Sequence, residues 1–384
     1  MKGLEGVSVG LNAIPLVTPL TGIGRYTWQL AHELRGLLAE PPQLFYGGDW
    51  STDMRPPPAP QPVTIERRVR RAFPMGFEIA RALQQRRFDA GVRALGIGLY
   101  HEPNFLAFRF DGPTVVTVHD LSWVRHPETH PRERVRVMNT QMPRVLRECR
   151  HVVADSEFTR GEIIAHYGLA PGKVSTVHLG VDAGFRPLGP EQCAPVLERH
   201  QLGFGSYVLH VGTLEPRKNL VTAVDAFMRL PQPTRQRYPL VIAGMAGWGR
   251  DGVSSRLKAL MMSGEARLAG FVPQGEMPAL YSGARAFVYP SLYEGFGLPP
   301  LESMACGVPA IVSDRACLPE IVGDAGLQVA ALDVAALSEA LRSLLADDAL
   351  HERLCIAARL RAKAFTWRRC AEATVAAYCK ALAT

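Results

Sequence analysis

At 384 residues the chain exceeds one small module and can supply two compact domains of about 150 residues, each burying its own core. Hydrophobic residues make up 47% and charged residues 21%, a globular balance that excludes long disorder. The net charge of +7 is mostly arginine in the first half: Arg67, Arg68, Arg70, Arg71, Arg81, Arg86 and Arg87 in one stretch, and Arg132, Arg134, Arg136, Arg144, Arg147 and Arg150 along one expected helix, so both stretches could face an anion.

The N-terminal run GVSVGLNAI reads as a short strand rather than a signal peptide. Further strands are expected at QLFYG, GLYHEP, TVVTVHD and HVVADS, the last running into a helix at EFTRGEIIAHYG, and KVSTVHLGVD closes this half. Ala183 to Ala194 carries glycine and proline with no hydrophobic period and is expected to link two domains. The second half offers strands YVLHVG, PLVIAG, ARLAGF, AFVYPS, PAIVSD and GLQVA, alternating with helical segments such as LVTAVDAFMRL and DVAALSEALRSLLAD. Short apolar runs alternating with amphipathic stretches predict an α/β fold with parallel sheets, whose ligands collect at the strand carboxyl ends. No apolar run approaches the roughly 20 residues that span a bilayer, so any membrane contact is expected to be peripheral. The cysteines, seven in number, show no C-x-x-C spacing and no grouping with histidine, which points to a reducing cytoplasm and to no metal.

Chemistry concentrates where strands meet helices. In YPSLYEGFGLPPLESMACG, Tyr289 to Gly307, a strand ends in a loop presenting Glu294, followed by Gly295, Phe296, Gly297 and Leu298; a helix is expected to open at Pro299 and Pro300, to carry Glu302 near its first turn and to stop at Gly307. Glycines admit close approach, free N–H groups at the helix start suit a diphosphate, and the carboxylates suit vicinal hydroxyls. In YVLHVGTLEPRKNL a strand ends at Gly212, Thr213 follows it, and Arg217 and Lys218 precede a helix. Cations there oppose the helix dipole and ask for a reason, which a phosphate clamp would supply. Gly22 and Gly24 follow the first strand in a segment that is either a loose nucleotide loop or a plain tight turn, being neither G-x-G-x-x-G nor a P-loop. His119 with Asp120, and His101 with Glu102, end two strands and are either structural or cleft residues. Asp155 and Ser156 are expected to cap the following helix, with Asp182 acting similarly. The sequence has no G-x-S-x-G elbow and no H-E-x-x-H.

Taken together, GTLEPRKN, LVIAG, ARLAGFV, AFVYPSLYEGFGLPPLESMACGVPAIVSD and LPEIVGDAG, with TGIGRYTWQL, TVHDLSWVRHPE and ADSEFTRGEI in the first half, resemble the retaining glycosyltransferases of family 4. The resemblance implies a GT-B fold, two Rossmann-like domains facing one cleft: an acceptor-side domain over 1–185, a nucleotide-sugar-binding domain over 186–365, and a terminal helix over 366–384 that crosses back. It implies that Glu294 reaches the donor sugar and Glu302 the ribose, as the two ends of an E-x7-E pattern. Lys218, aided by Arg217, would neutralise the diphosphate, supported by the backbone of Gly295, Phe296, Gly297 and Leu298. Gly22 and Gly24 would lie across the cleft, His119 at the sugar, and the base near Phe271 and Val272. Many members carry arginine directly after the strand-ending glycine; here Thr213 stands there, so Arg217 must complete the clamp.

The G-T-L-E-P-R-K-N form together with TVHDLSW is similar to members acting on bacterial surface polysaccharides, often with GDP-mannose. Its implied partners are a nucleotide-sugar donor, a glycan or lipid-linked saccharide acceptor and an anionic membrane surface. No cofactor is expected. An epimerase or phosphorylase of the same fold remains open, as does a basic module for anionic lipid. Nucleic acid is not expected, because the arginine stretches lack interleaved aromatics beyond Phe73 and Phe77.

Overall fold

The computed structural model describes residues 4–18, 20, 22–56, 58, 74–244 and 255–383, the side chains of 74–79 excepted. Arg67, Arg68, Arg70, Arg71, Thr21 and Phe73 therefore lie outside the described residues. The apolar runs of the first half pair into one sheet: β1 (Ser8–Asn12), β2 (Gln43–Phe45), β3 (Trp50–Ser51), β4 (Ile97–Glu102), β5 (Thr114–Val118), β6 (His151–Ala154) and β7 (Val174–Thr176). The order is β3-β2-β1-β4-β5-β6-β7, parallel throughout except for the β2–β3 hairpin, whose second strand the apolar pattern does not announce. Every residue of β5 and β6 is buried, as expected of strands covered on both faces.

The second sheet contains β8 (Val208–Val211), β9 (Leu240–Ala243), β10 (Ala266–Gly270), β11 (Ala286–Tyr289), β12 (Ala310–Ser313) and β13 (Leu327–Val329). Its order, β10-β9-β8-β11-β12-β13, is the doubly wound one, with the reversal between β8 and β11. In the first sheet the reversal falls between β1 and β4. Two crevices therefore form at the carboxyl ends of those strand pairs.

Three expectations about the joints need correction. The stretch read as linker to Ala194 turns into a helix at Pro190–Arg199, because Pro190 suits a first helical position and Gln192 accepts the Gly189 N–H at 3.2 Å. Asp182 caps nothing: its Oδ1 accepts from Gln29 Nε2 at 2.8 Å and Trp367 Nε1 at 2.7 Å, tying two helices together. Arg150 falls beyond the helix Arg132–Glu148.

The last helix, Trp367–Ala383, packs on the first domain, against the helix Gly22–Leu34 and strands β5 and β6. His101, wholly buried in β4, fastens it, with Nδ1 at 2.8 Å from Tyr378 OH and Nε2 at 2.8 Å from Thr117 Oγ1. Burial drives its pKa down to about 3, so it is a neutral structural histidine rather than a cleft residue. One buried cluster runs from Leu11, Tyr26 and Leu30 through Trp367 and Tyr378 to Phe296, Leu301 and Met304, spanning both domains.

Candidate functional site

The strands that flank the reversal in the second sheet, β8 and β11, release their chains into the loops 212–219 and 290–297. Asn219 adopts the left-handed conformation (φ 53°), and its Nδ2 donates to Pro290 O at 2.9 Å and Ala331 O at 2.7 Å, so the cationic loop is pinned to the carboxylate loop. Leu292 N also donates to Arg217 O at 2.8 Å. The single turn Pro216–Lys218 ends there, before the helix Leu220–Met228 begins.

The side chains then converge. Lys218 Nζ lies 2.6 Å from Glu294 Oε1, and Arg217 Nη1 lies 3.2 Å from Glu294 Oε2. Tyr289 OH accepts from Lys218 at 2.6 Å and donates to Glu294 Oε1 at 2.9 Å; Ser291 Oγ donates to the same oxygen at 2.6 Å. Glu294 is 7% exposed. Burial alone would raise its carboxyl, but Lys218, Arg217 and Ser291 outweigh that and hold it down to about 2. Arg217 also bonds Glu215 at 2.7 Å and Tyr293 O at 2.5 Å, and although burial opposes its charge, Glu294 and Glu215 raise its pKa. The cations that a helix start disfavours are thus held by a buried anion.

The helix Leu298–Ala305 opens from Gly297, whose φ of 95° favours glycine and whose added Cβ would meet Leu318 Cδ2 at 2.9 Å. Its Glu302 is buried; Oε1 accepts from Arg25 Nη1 at 2.5 Å and Oε2 from Tyr281 OH at 3.0 Å. Burial raises the Glu302 carboxyl, and Arg25 and Tyr281 offset this only in part.

Across the cleft, Gly22 and Gly24 lie in the first turn of Gly22–Leu34; Gly22 faces open space, whereas a Cβ on Gly24 would lie 3.1 Å from Pro15 O. The loop carrying Glu294 presses on the ends of β5 and β6. A Cβ on Gly295 would fall 1.9 Å from His119 O, Ser156 Oγ and Thr159 Oγ1 donate to Gly295 O at 2.7 and 3.1 Å, and Tyr293 OH accepts from Leu121 N at 2.9 Å. His119 is gripped on both sides, Nδ1 at 2.8 Å from Asp155 Oδ2 and Nε2 at 2.8 Å from Pro103 O. Pro103 O and the Asp155 carboxylate both accept, a geometry that favours a ring protonated on both nitrogens; burial opposes the charge, but Asp155 and Pro103 O prevail and raise its pKa. Asp155 is therefore the partner of His119 and not a helix cap, a role left to Ser156, which accepts from Thr159 N.

The structure thus gathers Lys218, Arg217, Glu294 and Gly295 with His119, and Glu302 with the turn after Gly24. Phe296 is buried against His178 and Phe365 at the domain junction, Val272 lies in the main core, Phe271 is 55% exposed and Thr213 faces solvent. Tyr289, Ser291, Asn219, Tyr281 and Arg25 are additions that sequence reading passed over. Arg25 alone left a signal, a cation in a first helical turn.

The match to the family "Glycosyltransferase Family 4" covers residues 20–185, and that to "Glycosyl transferases group 1" covers residues 202–361. The chain is 37% identical over 371 residues to O-antigen chain mannosyltransferase B of Escherichia coli, covering 95% of this chain and 97% of that relative. The chain belongs to glycosyltransferase family 4. This glycosyltransferase also superposes on sucrose-phosphate synthase from Thermosynechococcus elongatus with a TM-score of 0.73 at 20% identity, covering 97% and 98% of the two chains. On Anabaena HepE in complex with UDP-glucose the TM-score is 0.70 at 15% identity, with 96% and 98% covered. The glycosyltransferase has the GT-B fold, and its two reversals, one in each sheet, face the cleft.

Proposed function

We propose that this glycosyltransferase moves mannose from GDP-mannose to a growing surface-polysaccharide glycan, with retention at the anomeric carbon. The full-length similarity to an O-antigen chain mannosyltransferase supports the sugar and the acceptor class. The observation that carries the chemistry is the Lys218–Glu294–Arg217 cluster at the carboxyl ends of β8 and β11.

In this reading Lys218 and Arg217 stabilise the departing diphosphate, and the N–H groups at the start of Leu298–Ala305 add to them. The bond between the anomeric carbon and the diphosphate oxygen breaks, a bond to the acceptor hydroxyl oxygen forms on the same face, and the hydroxyl proton leaves with the diphosphate. Glu294 Oε2, approached only by Arg217 at 3.2 Å among the described residues, is the oxygen left to take donor-sugar hydroxyls. Glu302 takes the ribose, Phe271 lies beside the base, and His119 stands at the sugar as a fixed positive charge. The two cations carry the charge that a divalent metal would otherwise supply, so chelation with EDTA is expected to leave turnover unchanged.

The arginines of Arg132–Glu148 are exposed and would rest on anionic headgroups at the inner face of the cytoplasmic membrane, next to a lipid-linked acceptor. Among the described residues no helix is long and apolar enough to cross a membrane. Salt-sensitive flotation with anionic liposomes is the expected result; no binding would remove this element.

Incubation of a mannan-type oligosaccharide acceptor with GDP-mannose, UDP-glucose and ADP-glucose in turn is the direct test. Mass spectrometry should show one added hexose from GDP-mannose only, and proton NMR should show the new linkage with the donor's anomeric configuration. Transfer from another donor overturns the base assignment. Conversion of the donor without acceptor would favour an epimerase.

A further inference from the structure

Arg25 is the fourth residue of the helix Gly22–Leu34, where a positive charge works against the helix dipole. Its guanidinium forks across the cleft: Nη1 donates to Glu302 Oε1 at 2.5 Å, and Nη2 donates to Gln274 Oε1. The side chain keeps 20% of its exposure and that of Glu302 only 8%, so the ion pair is the sheltered kind that holds a geometry. Tyr281 OH occupies the other carboxylate oxygen at 3.0 Å. Gln274 stands three positions after Phe271, in the loop that leaves β10. Glu302 and Phe271, the latter at the start of the loop that carries Gln274, are the parts of the second domain that the proposed function assigns to the nucleoside. A side chain of the first domain already bridges Glu302 and that loop.

We propose that Arg25 is a cross-domain latch on the nucleoside end of the donor site, and that the donor's ribose displaces it from Glu302. This rests on Glu302 as the ribose acceptor. A ribose offering two hydroxyls needs acceptor capacity on Glu302, and Oε1 already holds one of the guanidinium's donors in a charge-assisted bond. The carboxylate has about four lone-pair sites, of which Arg25 and Tyr281 take one each; the ribose hydroxyl is placed at the site on Oε1 that the guanidinium covers, so the two donors compete there. The latch lowers apparent affinity in proportion to the fraction of molecules in which it is engaged. Release of Arg25 also removes the contact that joins the first helix of one domain to Glu302 of the other, so donor arrival loosens the cleft on that side.

Isothermal titration calorimetry with GDP and UDP, on the native chain and on Arg25→Ala, tests the latch. The expected result is tighter binding by Arg25→Ala of the nucleotide that binds, by about tenfold if a single charge-assisted bond of ordinary strength is removed. The 2′,3′-dideoxy form of that nucleotide should show no such gain, because it makes no claim on Glu302. Gln274→Ala, which removes only the second arm, should shift affinity in the same direction by less. Unchanged or weaker nucleotide binding by Arg25→Ala, or an equal gain with the dideoxy form, overturns the latch while leaving the donor reading intact. If the native chain and both variants bind neither nucleotide, the donor reading fails and the latch with it.

Discussion

Lys218 reaches Glu294 at 2.6 Å inside a site where the carboxylate is buried, and the pair is held by Tyr289, Ser291 and Arg217. On the proposed reading, removing the lysine takes away a charge aimed at the leaving group. Lys218→Ala is therefore expected to lower kcat/KM by about 100- to 1000-fold, the usual cost of losing one preorganised electrostatic donor; turnover within threefold of native would count against the clamp. His119 makes a different prediction. Its pKa is raised in the fold, so its contribution to stability is complete below the unfolded value of about 6.5 and is lost as pH rises through the folded value. The melting temperature of the native chain should exceed that of His119→Asn by more at pH 6 than at pH 9, and a constant difference would show that the imidazolium is not formed. At this scale the sequence announced residue types and strand ends: Glu294, Glu302, Lys218 and Arg217 were legible because charges beside glycine at strand–helix junctions need partners. Asp155 was misread because an aspartate before a helix is most often a cap, and only the approach of β5 to β6 brings His119 to it.

The loop 290–297 does its work as an element, since it joins a strand end to a helix start and also meets the other domain. Gly295 sits under His119 O, where a Cβ would come within 1.9 Å. The neighbouring atom is backbone, so the clash cannot be relieved by a side-chain rotation. Gly295→Ala is expected to force the loop from the ends of β5 and β6, disturbing the Ser156 and Thr159 hydrogen bonds. It should reduce kcat/KM by more than tenfold, or over about 1.4 kcal/mol, while far-ultraviolet circular dichroism stays unchanged. Full activity would mean that the loop does not need to touch the first domain. Glycine in this loop was foreseen for close approach to a diphosphate. Its contact with His119 was not, because the sequence does not say which backbone comes near.

Across the whole molecule, the terminal helix makes the two domains one core. Tyr378 is fully buried and its hydroxyl meets His101, so Tyr378→Ala should cost about 3–5 kcal/mol, as large-to-small core changes of aromatic residues do. Because the buried cluster runs through both domains, calorimetry should record one cooperative transition for the native chain and a lower single transition for the variant. Two separated transitions would show that the domains melt independently. A nucleoside diphosphate that binds the folded chain alone raises that transition further with concentration.

By itself the sequence determined the fold class, the strand succession apart from β3 and the residues at strand carboxyl ends, because hydrophobic period and glycine position are local properties that survive in a linear string. Whether His101 was structural or catalytic, what held His119, and where Arg25 went were decided only by tertiary structure. Each answer depends on an acceptor or donor distant in sequence, brought near by strand order and by the return of the last helix. Charge needs a partner wherever it is buried, and only the folded chain says which one.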